Sequence, residues 1–152
     1  MTHVPSFGSI LQFDPAGGTA YGAVGQVQDL QVMGVTRSTI DVTDHDSKVA
    51  ASGYREFIAG VSDGGECSFT IGFDPTNSVV VGAAGTGILG SFDEDGCIVP
   101  SWQCTLNSCT GTTAIWTFDG YPTNFTQSSP VEGQHTADLT IKISGKPTLT
   151  VT

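Results

Sequence analysis

The chain has 152 residues, enough for one domain with a substantial core, and sets 15 Asp and Glu against 5 Lys and Arg for a formal net charge of −10. That balance argues against a nucleic-acid-binding face, because phosphate contacts need clustered cations and Arg37, Lys48, Arg55, Lys142 and Lys146 are scattered along the sequence. Only 13% of residues are charged, about half the usual share, and such a surface suits a protein that covers much of itself with copies of itself.

The N-terminus, MTHVPSFGS, reads as a polar arm over residues 1–8. It lacks the charged and apolar regions of a signal peptide, which predicts a chain made and used in a reducing cytoplasm, or one that has lost its signal. Phe7–Asp14 reads as a first strand, stopped by Pro15 and Gly17–Gly18. Ala23–Met33 and Val35–Val42 read as two further strands that meet at Gly34. A polar excursion over about Thr43–Gly60 follows, too long for a tight hairpin. It mixes acids (Asp44, Asp46, Glu56), bases (Lys48, Arg55) and aromatics (Tyr54, Phe57). Loops of that length inside a compact domain are uncommon and usually functional.

Glu66–Phe73 then alternates, with Cys67, Phe69, Ile71 and Phe73 on one side and Ser68, Thr70 and Gly72 on the other. This is the period of a strand with one buried face. Asp74–Pro75 stops it. Val79–Gly90 is apolar but carries four glycines, which weaken a helix and a strand alike. Ile98–Leu106 alternates again, placing Pro100, Trp102, Cys104 and Leu106 on one face. The turn Asn107–Thr113 leads to Ala114–Phe118 and on to Phe125. In Ala137–Ser144 the apolar Ala137, Leu139, Ile141 and Ile143 alternate with polar residues, and Gly145-Lys146-Pro147 is expected to end the strand. The sum is a mainly β fold: a sandwich or barrel of about seven or more antiparallel strands, with one short flanking helix and a long hairpin loop, in a single domain over 1–152.

Catalytic and metal motifs fail in their contexts. Gly60-Val61-Ser62-Asp63-Gly64 fits G-x-S-x-G, with Asp119 and His135 following in order, but a strand and not a helix follows Gly64. Gly85-Thr86-Gly87-Ile88-Leu89-Gly90 fits G-x-G-x-x-G, yet Ser91–Gly96 breaks any helix and the acids Asp93–Asp95 arrive too early for a ribose contact. The run Asp41–Asp46 lacks the central glycine and distal Glu of a calcium loop. His3, His45 and His135 are far apart, and Asn124-Phe125-Thr126 is a sequon that matters only in a secretory pathway. Cys67, Cys97, Cys104 and Cys109 form no CxxC knuckle and are expected to be reduced, mostly structural thiols, with a Cys104–Cys109 disulfide left open. No catalytic residue, cofactor or metal site emerges.

A resemblance adds to this reading. Val27–Leu30, Gly34–Ser47, Gly53–Gly60, Asp63–Glu66 and Phe73–Pro75, with Phe118–Tyr121 and Ala137–Pro147 near the end, closely resemble the major tail tube proteins of long, non-contractile-tailed bacteriophages. The likeness covers most of the chain and is carried by the ordered series of segments. It implies a β-sandwich or barrel with a flanking helix, assembled edge to edge into hexameric rings that stack into a hollow tube for genome ejection. The implied partners are copies of the chain itself, the tape-measure, tail-terminator and distal tail proteins, and DNA passing the lumen without specific binding. No cofactor and no membrane are implied. The expected location is the virion tail, and the host cytoplasm during assembly. The loop Thr43–Gly60 is expected to reach a neighbouring subunit or ring through Asp44, Asp46, Lys48, Tyr54, Arg55, Glu56 and Phe57. Tyr, Arg and Phe are residue types enriched at interfaces. The chain stops soon after Pro147, so the additional immunoglobulin-like domain of some family members is expected to be absent.

Two departures bear on the resemblance: the glycine-rich Val79–Gly90 stands where the family has an amphipathic helix, and its pattern does not explain the four cysteines. Two other readings stay open beside it. One is the tube of a related gene-transfer or secretion machine. The other is a small β-sandwich that binds a surface sugar, with Trp102, Trp116 or Tyr121 as a stacking platform, although alternation puts both tryptophans on apolar faces.

Overall fold

The computed structural model describes residues 8–31, 34–44, 52–107 and 111–152. Among them run β1 (Ile10–Asp14), β2 (Gly22–Gln31), β3 (Thr36–Asp41), β4 (Phe57–Asp63), β5 (Glu66–Gly72), α1 (Ser78–Val81), a 3-10 turn (Gly90–Asp93), β6 (Ser101–Asn107), β7 (Thr113–Ser128) and β8 (Thr136–Val151). Six strands close into a barrel in the order β1-β2-β5-β8-β7-β6, all neighbours antiparallel, and β6 returns to β1. The other two, β3 and β4, pair only with each other and form a ribbon inserted between β2 and β5. Of the sandwich and the barrel that the pattern allowed, the fold is the barrel.

Alternation fills the interior. Cys67, Phe69 and Ile71 of β5 and Ala137, Leu139, Ile141 and Ile143 of β8 all face inward and are buried, as their period requires. The two strands pair in register, Phe69 beside Leu139 and Ile71 beside Ala137. Opposite them lie Leu11 and Phe13 of β1 with Trp102 and Cys104 of β6. The rings of Phe13 and Trp102 sit 4.5 Å apart. The buried indole Nε1 of Trp102 donates to the carbonyl of Gly120 at 2.9 Å, so the bulkiest core residue leaves no polar atom unsatisfied. The glycine-rich Val79–Gly90 resolves into one helical turn and a connection. Asn77 caps α1 by accepting from the amide of Val79, while its own amide reaches the carbonyls of Ala23 and Val24. That anchoring pushes Val80 and Ile88, both fully buried, into one end of the barrel.

Two expectations need correcting. The excursion after β3 is not loop throughout: its last part, with Gly60, is strand, because Phe57–Asp63 returns as β4 against β3. The run Phe57-Ile58-Ala59-Gly60-Val61 is rich in strand formers, and its glycine disguises it. Second, Gly145-Lys146-Pro147 does not end β8, which continues to Val151. The pairing steps from Thr117↔Thr148 to Asp119↔Ser144, so three residues of β8 bulge out against Phe118. Gly145 takes φ +84 there, and Pro147 sits where no ladder donor is needed.

Leu139→Ala removes a fully buried side chain from the best-packed strand. It is expected to lower unfolding free energy by about 2–5 kcal/mol, measured by denaturant titration. Burial, helped by the nearby Cys67, pushes the Cys104 thiol up to about 11, while Cys97 is exposed. Alkylation of the native protein at neutral pH is therefore expected at Cys97 and not at Cys104 until the chain is unfolded, as read by site-mapped mass spectrometry.

Candidate assembly surface

The ribbon is the part of the fold that the barrel does not explain. Every residue of β3 is exposed, and so is every residue of β4 except the half-buried Gly60. Cross-strand partners share a face, so Ile40 and Ile58 stand together on one side and Asp41 and Phe57 on the other. The amide of Val42 bonds the carbonyl of Glu56 at 2.9 Å, which carries the pairing past the strand ends and adds Val42 beside Ile40. Val61 is 84% exposed and Tyr54 77%. A two-stranded ribbon is marginal in water by itself, and exposed apolar groups gathered on one element mark a contact surface. Both outer edges of the ribbon also lack a partner strand among the described residues, which leaves ladder donors and acceptors open.

The joint between ribbon and barrel is tight. Gly65 takes φ +76, and a Cβ on it would stand 2.5 Å from the carbonyl oxygen of Gly34; one on Gly64 would stand 2.6 Å from the Ile143 side chain. Asp63 ties the joint to β8. It accepts from the amide of Gly65 at 2.8 Å and from Lys142 Nζ at 3.1 and 3.2 Å, and both contacts hold its carboxyl below the usual range. Beside this joint opens a cleft of about 600 Å³, between the ribbon base and the β8 bulge. It is lined by Val35, Val61 and Pro147 and by the charged Arg37, Asp63 and Lys146.

The chain superposes on a chain of the sheath/tube terminator of an extracellular contractile injection system with a TM-score of 0.68 and 12% identity, covering 99% of this chain and 98% of that one. A chain of the anti-feeding prophage baseplate gives a TM-score of 0.74 at 9% identity, over 99% and 97% of the two chains. A chain from the tail of an empty gene transfer agent particle gives 0.61 at 18%, over 93% and 94%. The fold is one found in tail and injection particles. No protein-family model matches the sequence, and no curated protein does.

The residues singled out from sequence distribute as follows. Asp44, Tyr54, Arg55 and Phe57 are exposed and Glu56 is half-buried, all at the free end of the ribbon. Asp46, Lys48 and His45 lie outside the described residues, as do His3, Cys109 and most of the N-terminal arm. Sequence reasoning missed Ile40, Val42, Ile58 and Val61, which carry the exposed apolar character of the ribbon itself. The strand run at Phe57–Val61 was the available signal. Ser62, Asp119 and His135 are not assembled: Ser62 accepts from Arg37 in the ribbon, and Asp119 accepts from Ser101 in the barrel. Gly85–Gly90 follows a four-residue helix and leads into a 3-10 turn, so no helix N-terminus stands behind it. Trp102 is fully buried and offers no stacking face, and the Tyr121 hydroxyl is engaged with the carbonyl of Gly96. Among the described residues no group of acids, His and Cys could hold a metal ion, and no helix is long and apolar enough to cross a membrane.

Asp41 fastens the free end of the ribbon. It accepts from the Thr43 hydroxyl and amide, and Glu56 N donates to the same hydroxyl at 3.0 Å. The Thr43 side chain, then its backbone, lowers the Asp41 pKa below 3.8, with Arg55 adding to the effect. A lowered folded-state value means support that is present above the unfolded value and lost as pH falls through the folded one. Amide-exchange protection of Thr43 and Glu56 is therefore expected to hold down to pH 3.8 and to fall below it. In Asp41→Asn that acid-dependent step should vanish.

Proposed function

We propose that this protein is a structural subunit of a tail tube, not an enzyme, and that it self-assembles into hexameric rings stacked as a conduit for genome ejection. The observation that carries this reading is the ribbon: a two-stranded element, exposed on both faces with apolar side chains on each, that stands out from a closed barrel. An element of that kind is costly in water unless another copy covers it. The fold neighbours support the reading, since they come from a tube terminator and a gene transfer agent tail, the latter refined with C6 symmetry. Edge-to-edge joining would use the strands that outrun their neighbours. Beyond Gly120, β7 extends past β6, and beyond Ser144, β8 extends past β5. The ribbon would reach the adjacent subunit or ring through Tyr54, Arg55, Glu56, Phe57 and Asp44, with Asp46 and Lys48 in the same loop.

On this reading the remaining partners are the tape-measure, tail-terminator and distal tail proteins. The location is the virion tail, after assembly in the host cytoplasm. DNA would pass without specific binding, because a surplus of ten negative charges repels phosphates. The order of segments from Val27 to Pro75 favours a long non-contractile phage tail. The tube of a gene-transfer or injection machine is the second reading, favoured by the particles from which the neighbours come.

Negative-stain microscopy of concentrated protein is expected to show rings or tubes. A monomer that persists at high concentration and with added tail components would overturn the proposal. The triple variant Ile40→Ser, Ile58→Ser, Val61→Ser should keep the circular dichroism and thermal transition of the barrel while losing assembly.

A further inference from the structure

Three of the five cations come together in space although they are scattered in sequence. Arg37 and Lys146 line the cleft by the ribbon joint, and Lys142 is held to Asp63 of the same lining by an ion pair. Neither Arg37 nor Lys146 has an acidic partner among the described residues. On a chain of net charge −10, that is a local excess of cations beside apolar side chains, since the one acid of the lining, Asp63, is already paired with Lys142.

The other end of the barrel carries the complement. Strand direction fixes which end is which: β1 finishes at Asp14 opposite the start of β6 at Ser101, and β2 runs away from that end toward the ribbon, where β5 begins. Asp93, Glu94 and Asp95 stand at the first end against Pro15 and Ala16. Phe92 precedes them and is 45% exposed on the 3-10 turn. An exposed aromatic followed by acids at one end thus matches a cleft lined by apolar side chains and cations at the other.

We infer that the cleft at the ribbon joint receives the Phe92–Asp95 segment of a second copy. The Phe92 ring meets Val35, Val61 and Pro147, while Asp93 and Asp95 meet Arg37 and Lys146. Because the two surfaces differ, the contact is heterologous, and copies joined by it stack head to tail with one polarity. Complementary charge also makes the reversed, like-to-like approach unfavourable. The inference rests on the tube-subunit reading and specifies how one ring would seat on the next.

The test is a charge exchange in the full-length protein, followed by tube length in electron microscopy and the concentration at which sedimentation shows stacking. Arg37→Glu with Lys146→Glu, and separately Asp93→Lys with Asp95→Lys, are each expected to raise that concentration by at least about tenfold, a change of roughly 1.4 kcal/mol. Glu94 is left in place because it accepts from the amide of Gly85. All four sites are exposed, and circular dichroism checks that each variant is folded. The protein carrying all four changes is expected to stack again as the wild type does. Single pairs that stack normally, or a fourfold variant that stays impaired, would overturn the inference while wild-type tubes leave the tube reading standing. A wild type that forms neither rings nor tubes would remove both.

Discussion

Closure of the barrel is the constraint on which the remaining features depend. Once β6 returns to β1, every neighbouring pair along the common stretch satisfies its own backbone groups, and no edge is left there for another chain. Surface for association must then come from what the closed sheet does not use. What the closed sheet leaves open lies in two places: where β7 and β8 outrun the strands beside them, and in the ribbon inserted between β2 and β5. The residues that fill the barrel, from Leu11 to Ile143, are buried within a single copy, so the core needs no second chain to exclude water from it.

The core was legible because a strand with one buried face writes a period of two into the sequence. Glu66–Phe73 and Ala137–Ser144 say in their alternation which side chains point inward, and those side chains are buried, except Phe73, which is half-buried where β5 has ended. The ribbon was only half legible for a related reason. A strand with two exposed faces has no face to select for, so Phe57–Asp63 shows composition without period. The Gly145–Pro147 bulge was misread because Gly before a Lys-Pro step is ordinarily a stop. Only the partner strand, with its register jump at Phe118, reveals that pairing resumes beyond it. The neighbourhood of Arg37 and Lys146 was likewise invisible, being a product of topology and not of spacing along the chain.

Low charge content sharpens the meaning of each charge that remains. Several acids are committed locally. Asp14 accepts from the amides of Ala16, Gly18 and Ala20, Asp74 from Thr76, and Asp41 from Thr43. Such acids shape turns and are poor candidates for recognition. The basic side chains are fewer; among the described residues Arg37 donates to the Ser62 hydroxyl, and Lys142 is paired with Asp63. That bridge is between exposed groups and contributes little to global stability. Its effect is geometric, because it fixes β4 against β8 at the place where the ribbon leaves the barrel.

Rigidity at that joint matters more than stability of the ribbon. A two-stranded element that swung freely would lose conformational entropy each time it was captured, and the contact would be weakened by the cost of ordering it. Gly64 and Gly65 remove the side chains that would hold the strands apart, so that the Gly34 backbone and Ile143 close directly upon them. The Ile143 amide bonds the Gly65 carbonyl at 3.1 Å, extending the barrel ladder to the foot of the ribbon. The orientation of the ribbon is therefore set by the barrel, while its faces stay open. Exposed apolar side chains on both faces of the ribbon, Ile40 and Ile58 on one and Phe57 on the other, are thereby carried on an element whose foot is tied into the barrel ladder instead of hanging from a bare loop.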